Sequence, residues 1–148
     1  MIKGVKIKSL KIIPDKKGAV KHMLKKTDAE FKKFGEIYFS FVNKSVVKAW
    51  RIHSRTTLNY AIVSGKIKLV LYDNRSRSTT KHELMEILTG ERKYELITIP
   101  PGIWYGFKSV GKSTAIIANL TDYQHDPKEI KRMDPNKNNI FSYSWKKD

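Results

Sequence analysis

The chain has 148 residues, 40% of them hydrophobic and 11% aromatic, which makes one globular domain with a real core and excludes a disordered chain. It has no cysteine, which excludes disulfides, thiolate metal sites and a cysteine nucleophile and suits a cytoplasmic protein. Thirty basic against 14 acidic residues give a net charge of +16, yet the lysines are spread along the chain without a block of five or a basic amphipathic helix, so a lysine-rich solvated surface is preferred to a nucleic-acid interface.

In chain order, the start "MIKGVKIKSLKIIPDKKG" has no apolar run long enough for a signal peptide, and no later run reaches the ~20 residues of a membrane helix. Val5 and Ile7 alternate with Lys6 and Lys8, which predicts a strand, one that is a candidate to cross to a partner subunit. "KTDAEFKKFG" predicts the one helix, capped by Thr27 or Asp28 and stopped by Gly35. "EIYFSFVN" is aromatic-rich and predicts a strand.

"KAWRIHSR" (Lys48–Arg55) is the first stretch with chemistry in it. A regular strand places Ala49, Arg51 and His53 on one face and Lys48, Trp50 and Ile52 on the other. Two readings stay open. Either Arg51 and His53 point inward and meet a ligand, or Trp50 and Ile52 make the core and leave that pair solvated. "NYAIVSG" and "KIKLVLYD" meet at Ser64-Gly65, a hairpin signal.

Arg51, Arg55, Arg75 and Arg77 fall within one window, and arginine is the planar, bidentate partner of phosphate and carboxylate. A small phosphorylated or nucleotide-bearing ligand explains them better than a long polyanion. Asp73 and Arg75 also suit an ion pair that anchors a turn. "ELITIPPGIWYGF" reads as a strand, a Pro-Pro-Gly turn and a second aromatic strand, with Trp104 and Tyr105 available for ring stacking or for the core. "STAIIANLTDY" is another strand, and "TDYQHDP" brings Tyr123, His125 and Asp126 to its end. The tail "IKRMDPNKNNIFSYSW" reads as loop and short strand. His22, His53, His82 and His125 are scattered without metal-ligand spacing, and "GERKYE" and "SVGKST" do not complete a phosphate loop. Many short strands with turns between them predict an all-β sandwich or barrel.

The order "IIPDKKG", "KAWRIHSR", "VSGKIKLVLYDNRSRS", "LITIPPGIWYGF", "NLTDYQHDP" and "DPNKNNIFSYSW" resembles the dTDP-4-dehydrorhamnose 3,5-epimerase family over nearly the whole chain. The Asp73/Arg75 block and the block from Ile99 to Phe107 are the most specific pieces. The resemblance implies a single-domain cupin-type β jelly roll (a double-stranded β-helix), a homodimer, a nucleotide-sugar substrate of the dTDP-4-keto-6-deoxy type and no metal or other cofactor. It also implies chemistry in which a histidine removes the proton beside a ketone and a tyrosine returns one on the other face.

This sequence departs from the family pattern at several positions. Arg51 stands where the family has its base, and a guanidinium stays protonated. Asn59 stands at about the place of an enolate-stabilising lysine, Tyr105 at a second histidine, and Lys17 at the arginine of an Asp-x-Arg-Gly motif. A branch of the family and the related 3,4-ketoisomerases resemble a His-x-His pattern here, of which His53 is the second member. The expected site is then His53 as base and Tyr123 as acid, with Arg51 or Lys48 steadying the enolate. Lys17, Arg55 and Arg75 are expected at the diphosphate, and Tyr60 or Tyr105 at a stacked ring. The alternative is a homologue that binds a nucleotide sugar without turnover.

Overall fold

Period-two alternation becomes strand almost throughout the computed structural model, which describes residues 1–146. Twelve strands form: β1 (Lys6–Ser9), β2 (Ile12–Asp15), β3 (Gly18–Lys21), β4 (Glu36–Val42), β5 (Val47–His53), β6 (Leu58–Ser64), β7 (Lys66–Asp73), β8 (Leu84–Gly90), β9 (Glu95–Ile99), β10 (Ile103–Ser109), β11 (Ala115–Thr121) and β12 (Ile130–Arg132). One antiparallel sheet has the order β1-β9-β6-β11-β4, a second the order β12-β5-β10-β7-β8, and β2 and β3 make a separate ribbon. The main core lies between the two large sheets, from Ile62, Ile97, Ile117 and Tyr60 on one to Leu69, Leu71, Ile103 and Phe107 on the other. The all-β, cupin-type expectation holds.

Two local expectations are corrected. "KTDAEFKKFG" is not a helix but turns followed by irregular chain. A segment this short gains little from helical propagation. The Asp28 carboxylate instead accepts the Lys25 N–H at 2.8 Å, and Lys8 on β1 pairs with Asp28 at 3.4 Å and Glu30 at 3.1 Å. Ser64-Gly65 is not a hairpin either. β6 and β7 lie in different sheets, and the chain crosses between them at Gly65, whose φ is +76°. A Cβ there would stand 2.8 Å from the Ala115 Cα, so the corner requires glycine twice over. β1 pairs with β9 of its own chain.

β5 carries the irregularity that matters most. Arg51 lies opposite Tyr105 and Lys48 opposite Phe107, so Ala49 and Trp50 together face the single residue Gly106. This bulge changes which residues share a face. Lys48, Arg51 and His53 turn inward, whereas Val47, Ala49, Trp50 and Ile52 turn outward, so Lys48 does not share a face with Trp50 and Ala49 does not share one with His53. Both readings of the strand are therefore half right. Trp50 is fully buried, but in a second apolar cluster on the outer face, roofed by Phe141, Tyr143 and Trp145 of the tail.

Edge strand β4 is two-faced. Glu36 and Tyr38 look toward the cleft described below, while Ile37, Phe39 and Phe41 are exposed at 48%, 56% and 60% on the other side.

Candidate active site

At the His53 end of β5 the two sheets part around a cleft of about 420 Å³, lined among others by Tyr38, Arg51, His53, Tyr105, Tyr123 and Glu129. Each group has a reason to be there. His53 ends β5, and its carbonyl accepts the Gly102 N–H at 2.8 Å, which ties it to the rigid Pro-Pro-Gly turn. Tyr105 sits opposite Arg51 on β10. Tyr123 follows β11, with Lys33 Nζ 3.5 Å and the Arg55 guanidinium carbon 5.0 Å from its ring centre.

Glu129 is the member that sequence reasoning missed. It lies 76 positions from His53, between the stretches "TDYQHDP" and "IKRMDPNKNNIFSYSW". Asp126 caps a 3₁₀ turn over Pro127–Glu129, and Ile130 then pairs with His53, which sets Glu129 beside the end of β5. The Asp126-Pro127 pair was a readable signal for a helical start.

Both Glu129 oxygens are used. Oε1 bonds His53 Nδ1 and accepts the Thr56 hydroxyl at 2.9 Å, and Oε2 accepts the Ser54 and Arg55 N–H groups at 3.0 and 3.2 Å. Burial alone would raise this carboxyl, but the hydrogen bonds from His53, Thr56 and the Arg55 N–H outweigh it and hold the group at about 2. An ionised carboxylate only accepts, so Nδ1 carries the proton and the lone pair of a neutral His53 lies on Nε2. Nε2 is 3.0 Å from the Tyr105 hydroxyl. Burial pushes that phenol up to about 12; the nearby Tyr38 adds to this, and Arg51 and Tyr60 pull against it.

The other expected site residues separate. Arg51, His53, Tyr105 and Tyr123 share the cleft, and Arg55 lines an adjoining groove with Lys33 and His125. Lys48 points inward but donates to the Phe41 carbonyl at 2.7 Å and does not reach the cleft. Lys17 sits in the β2–β3 turn, where its N–H bonds the Asp15 carboxylate, away from the cleft of its own chain. Arg75 is held in a turn: it gives two bonds to the Asp73 carboxylate, at 2.9 and 2.8 Å, and one to the Lys3 carbonyl at 2.6 Å. Tyr60 is 3% exposed and meets Tyr105 and Phe107 edge-on, so its ring offers no face to a base. Tyr105 is 2% exposed and presents its hydroxyl, not its ring. Among the described residues no cluster of three or more His, Cys, Asp or Glu could hold a metal ion.

A larger cleft of about 530 Å³ lies at the opposite end of the sandwich, lined by Lys66, Leu88, Arg92, Lys93 and Lys112. It contains no histidine, and its single carboxylate, Glu91, is engaged by the Gly65 N–H at 3.2 Å, so it holds no imidazole–carboxylate pair like the one at the His53 end.

The family model described as dTDP-4-dehydrorhamnose 3,5-epimerase matches residues 1–146. The chain is 30% identical over 134 residues to a probable low-salt glycan biosynthesis epimerase, Agl13, of Haloferax volcanii, covering 86% of this chain and 85% of that one. It is 29% identical over 147 residues to the spore coat polysaccharide biosynthesis protein SpsL of Bacillus subtilis, covering 98% and 97%. A crystal structure of a dTDP sugar isomerase from Desulfovibrio desulfuricans superposes with a TM-score of 0.93 at 40% identity, over 97% of this chain and 92% of that one.

Proposed function

The chain belongs to the dTDP-4-dehydrorhamnose 3,5-epimerase family, and from that premise we propose that it epimerises or isomerises a dTDP-linked 4-keto-6-deoxy sugar for surface glycan synthesis. The observation that carries the proposal is the buried Glu129–His53 pair opening on a cleft that also holds Arg51 and Tyr123. A histidine oriented by a carboxylate is a built proton acceptor, and it speaks against a homologue that only binds.

In this reading His53 receives the proton from the carbon beside the ketone. The electron pair left behind spreads onto the ketone oxygen, and the Arg51 guanidinium stabilises that enolate. Tyr123 returns a proton on the opposite face. Arg55, in the adjoining groove, is the remaining candidate for the diphosphate. Glu129 is a positioning residue: it fixes the tautomer of His53 and balances the charge the ring acquires.

The proposed assembly is a cytoplasmic homodimer. Its support is the apolar outer face of β4, where Ile37, Phe39 and Phe41 stand exposed on an edge strand. Sedimentation of Phe39→Lys beside the native chain tests it: a dimer that becomes monomeric upholds the interface, and an unchanged dimer places it elsewhere.

The deciding experiment is deuterium wash-in. The protein is incubated with dTDP-4-keto-6-deoxyglucose in heavy water, and the sugar C3 and C5 protons are followed by NMR. Exchange above the protein-free rate that disappears in His53→Ala supports the enzyme. Ligand line broadening without exchange would leave a binding protein.

A further inference from the structure

The hydrogen bond between His53 and Tyr105 leaves the proposed base without open access to substrate. Nδ1 is taken by Glu129, and Nε2 faces the Tyr105 hydroxyl at 3.0 Å. A substrate carbon cannot occupy the same place as that oxygen. Nor is the ring free to swing aside. Tyr105 is 2% exposed, meets Tyr60 edge-on with ring centres 6.1 Å apart, and is fixed between Arg51 and Leu71 in the sheet register. Its ring lies parallel to the imidazole, 5° between planes, so the hydroxyl stays on Nε2.

We propose that Tyr105 is the catalytic residue that touches the reacting carbon, and that the proton reaches His53 through it. This rests on the reading of the cleft as an isomerase site. In the step, the C–H proton passes to the Tyr105 oxygen as the Tyr105 proton moves to His53 Nε2. The C–H electron pair delocalises onto the ketone oxygen, giving the enolate beside Arg51. Tyr105 ends the step neutral, and His53 is an imidazolium held by the Glu129 carboxylate. Protonation from Tyr123 completes the inversion. Tyr123 then recovers a proton from solvent, and His53 releases one through Tyr105.

Because Tyr105 gives and takes a proton in one motion, no free phenolate has to exist, and the strong burial of its ring is no obstacle. The arrangement also gives a use to the tyrosine that stands where the resemblance leads one to expect a second histidine, since its hydroxyl lies 3.0 Å from Nε2.

Tyr105→Phe keeps the ring and removes only the oxygen. Wash-in into the dTDP-4-keto sugar is measured for the native chain, His53→Ala and Tyr105→Phe, with dTDP affinity alongside. The relay predicts that Tyr105→Phe loses about 10²-fold or more in exchange, as His53→Ala does, while dTDP affinity stays within about threefold. Exchange in Tyr105→Phe within threefold of native, or faster, overturns the relay and makes Tyr105 a cap on a base that acts directly. A native chain that does not exchange overturns the enzyme reading itself, a different result. Nitrogen-15 spectra of the native histidines supply a check that no variant can confuse: the relay requires His53 protonated on Nδ1 and bare on Nε2 at neutral pH, and a proton resident on Nε2 overturns it.

Discussion

Asp73 and Glu129 are nearly the same object by the usual signs. Each is a buried carboxylate at the end of a strand pairing, and each is held below the ordinary carboxylate range although burial alone would raise it. Each collects hydroxyl and backbone N–H donors and one basic side chain: Arg75 with its own N–H, Ser78 and Thr80 for Asp73, and His53, Thr56 and the Ser54 and Arg55 N–H groups for Glu129. The difference lies in the basic partner. Arg75 is held further by the Lys3 carbonyl and the Ser78 hydroxyl, which fix it in its turn and off the cleft. His53 keeps one ring nitrogen outside the pair, directed at Tyr105 and the cleft. A depressed carboxylate therefore marks a fixed point, and the place its basic partner faces, a turn or a cleft, decides whether the point is structural or chemical.

Glu129→Gln breaks the comparison most sharply. An amide can present its N–H₂ to Nδ1 and favour the wrong tautomer, so exchange at the sugar carbon falls by about 10²-fold or more while the fold survives. Asp73→Ala does the reverse. It strands a guanidinium and two hydroxyls, costs on the order of 3 kcal/mol in a urea titration, and leaves the exchange rate per folded molecule unchanged.

Acid separates the two as well. A carboxyl with a depressed folded pKa adds stability that is complete above its unfolded value and is lost as pH falls through the folded one. For Glu129 that window runs from 4.5 down to about 2. The stability gap between native and Glu129→Gln closes across it, read as urea midpoints at successive pH values.

A matched pair is smaller. Thr56→Val and Thr80→Val each remove one hydroxyl donor from their carboxylate and cost about 1 kcal/mol; only Thr56→Val also slows exchange. Least of all is Arg55→Ala, which loses an exposed ion pair with Asp126 at 3.0 Å and changes stability by less than about 1 kcal/mol. Its effect on nucleotide-sugar KM reads Arg55 directly.

The two corners also differ in how well the sequence reveals them. Asp73 and Arg75 stand two residues apart at the end of an apolar run, and local spacing is enough to suggest the turn. His53 and Glu129 are brought together by β12 pairing with β5, a non-local event that no window of residues encodes. Strands were legible because alternation is local. The crossing at Gly65 was not, since a tight turn between two apolar runs looks alike whether the second run returns to the same sheet or enters the opposite one. The arginine window illustrates the same limit. Its four members scatter to the cleft (Arg51), the adjoining groove (Arg55), a closed turn (Arg75) and open surface (Arg77), because a strand and a corner separate neighbours in sequence.

The two residues that face Gly106 set the phase of everything after them on β5. Deleting Ala49 would remove the bulge and leave Trp50 alone opposite Gly106, with Arg51, Ile52 and His53 on the faces they already occupy. Inserting one residue between Arg51 and His53 would instead turn His53 to the outer face, so an edit that deletes no functional residue would silence the site. In that sense the strand has a reading frame, and the doubled residue opposite Gly106 is where it is set.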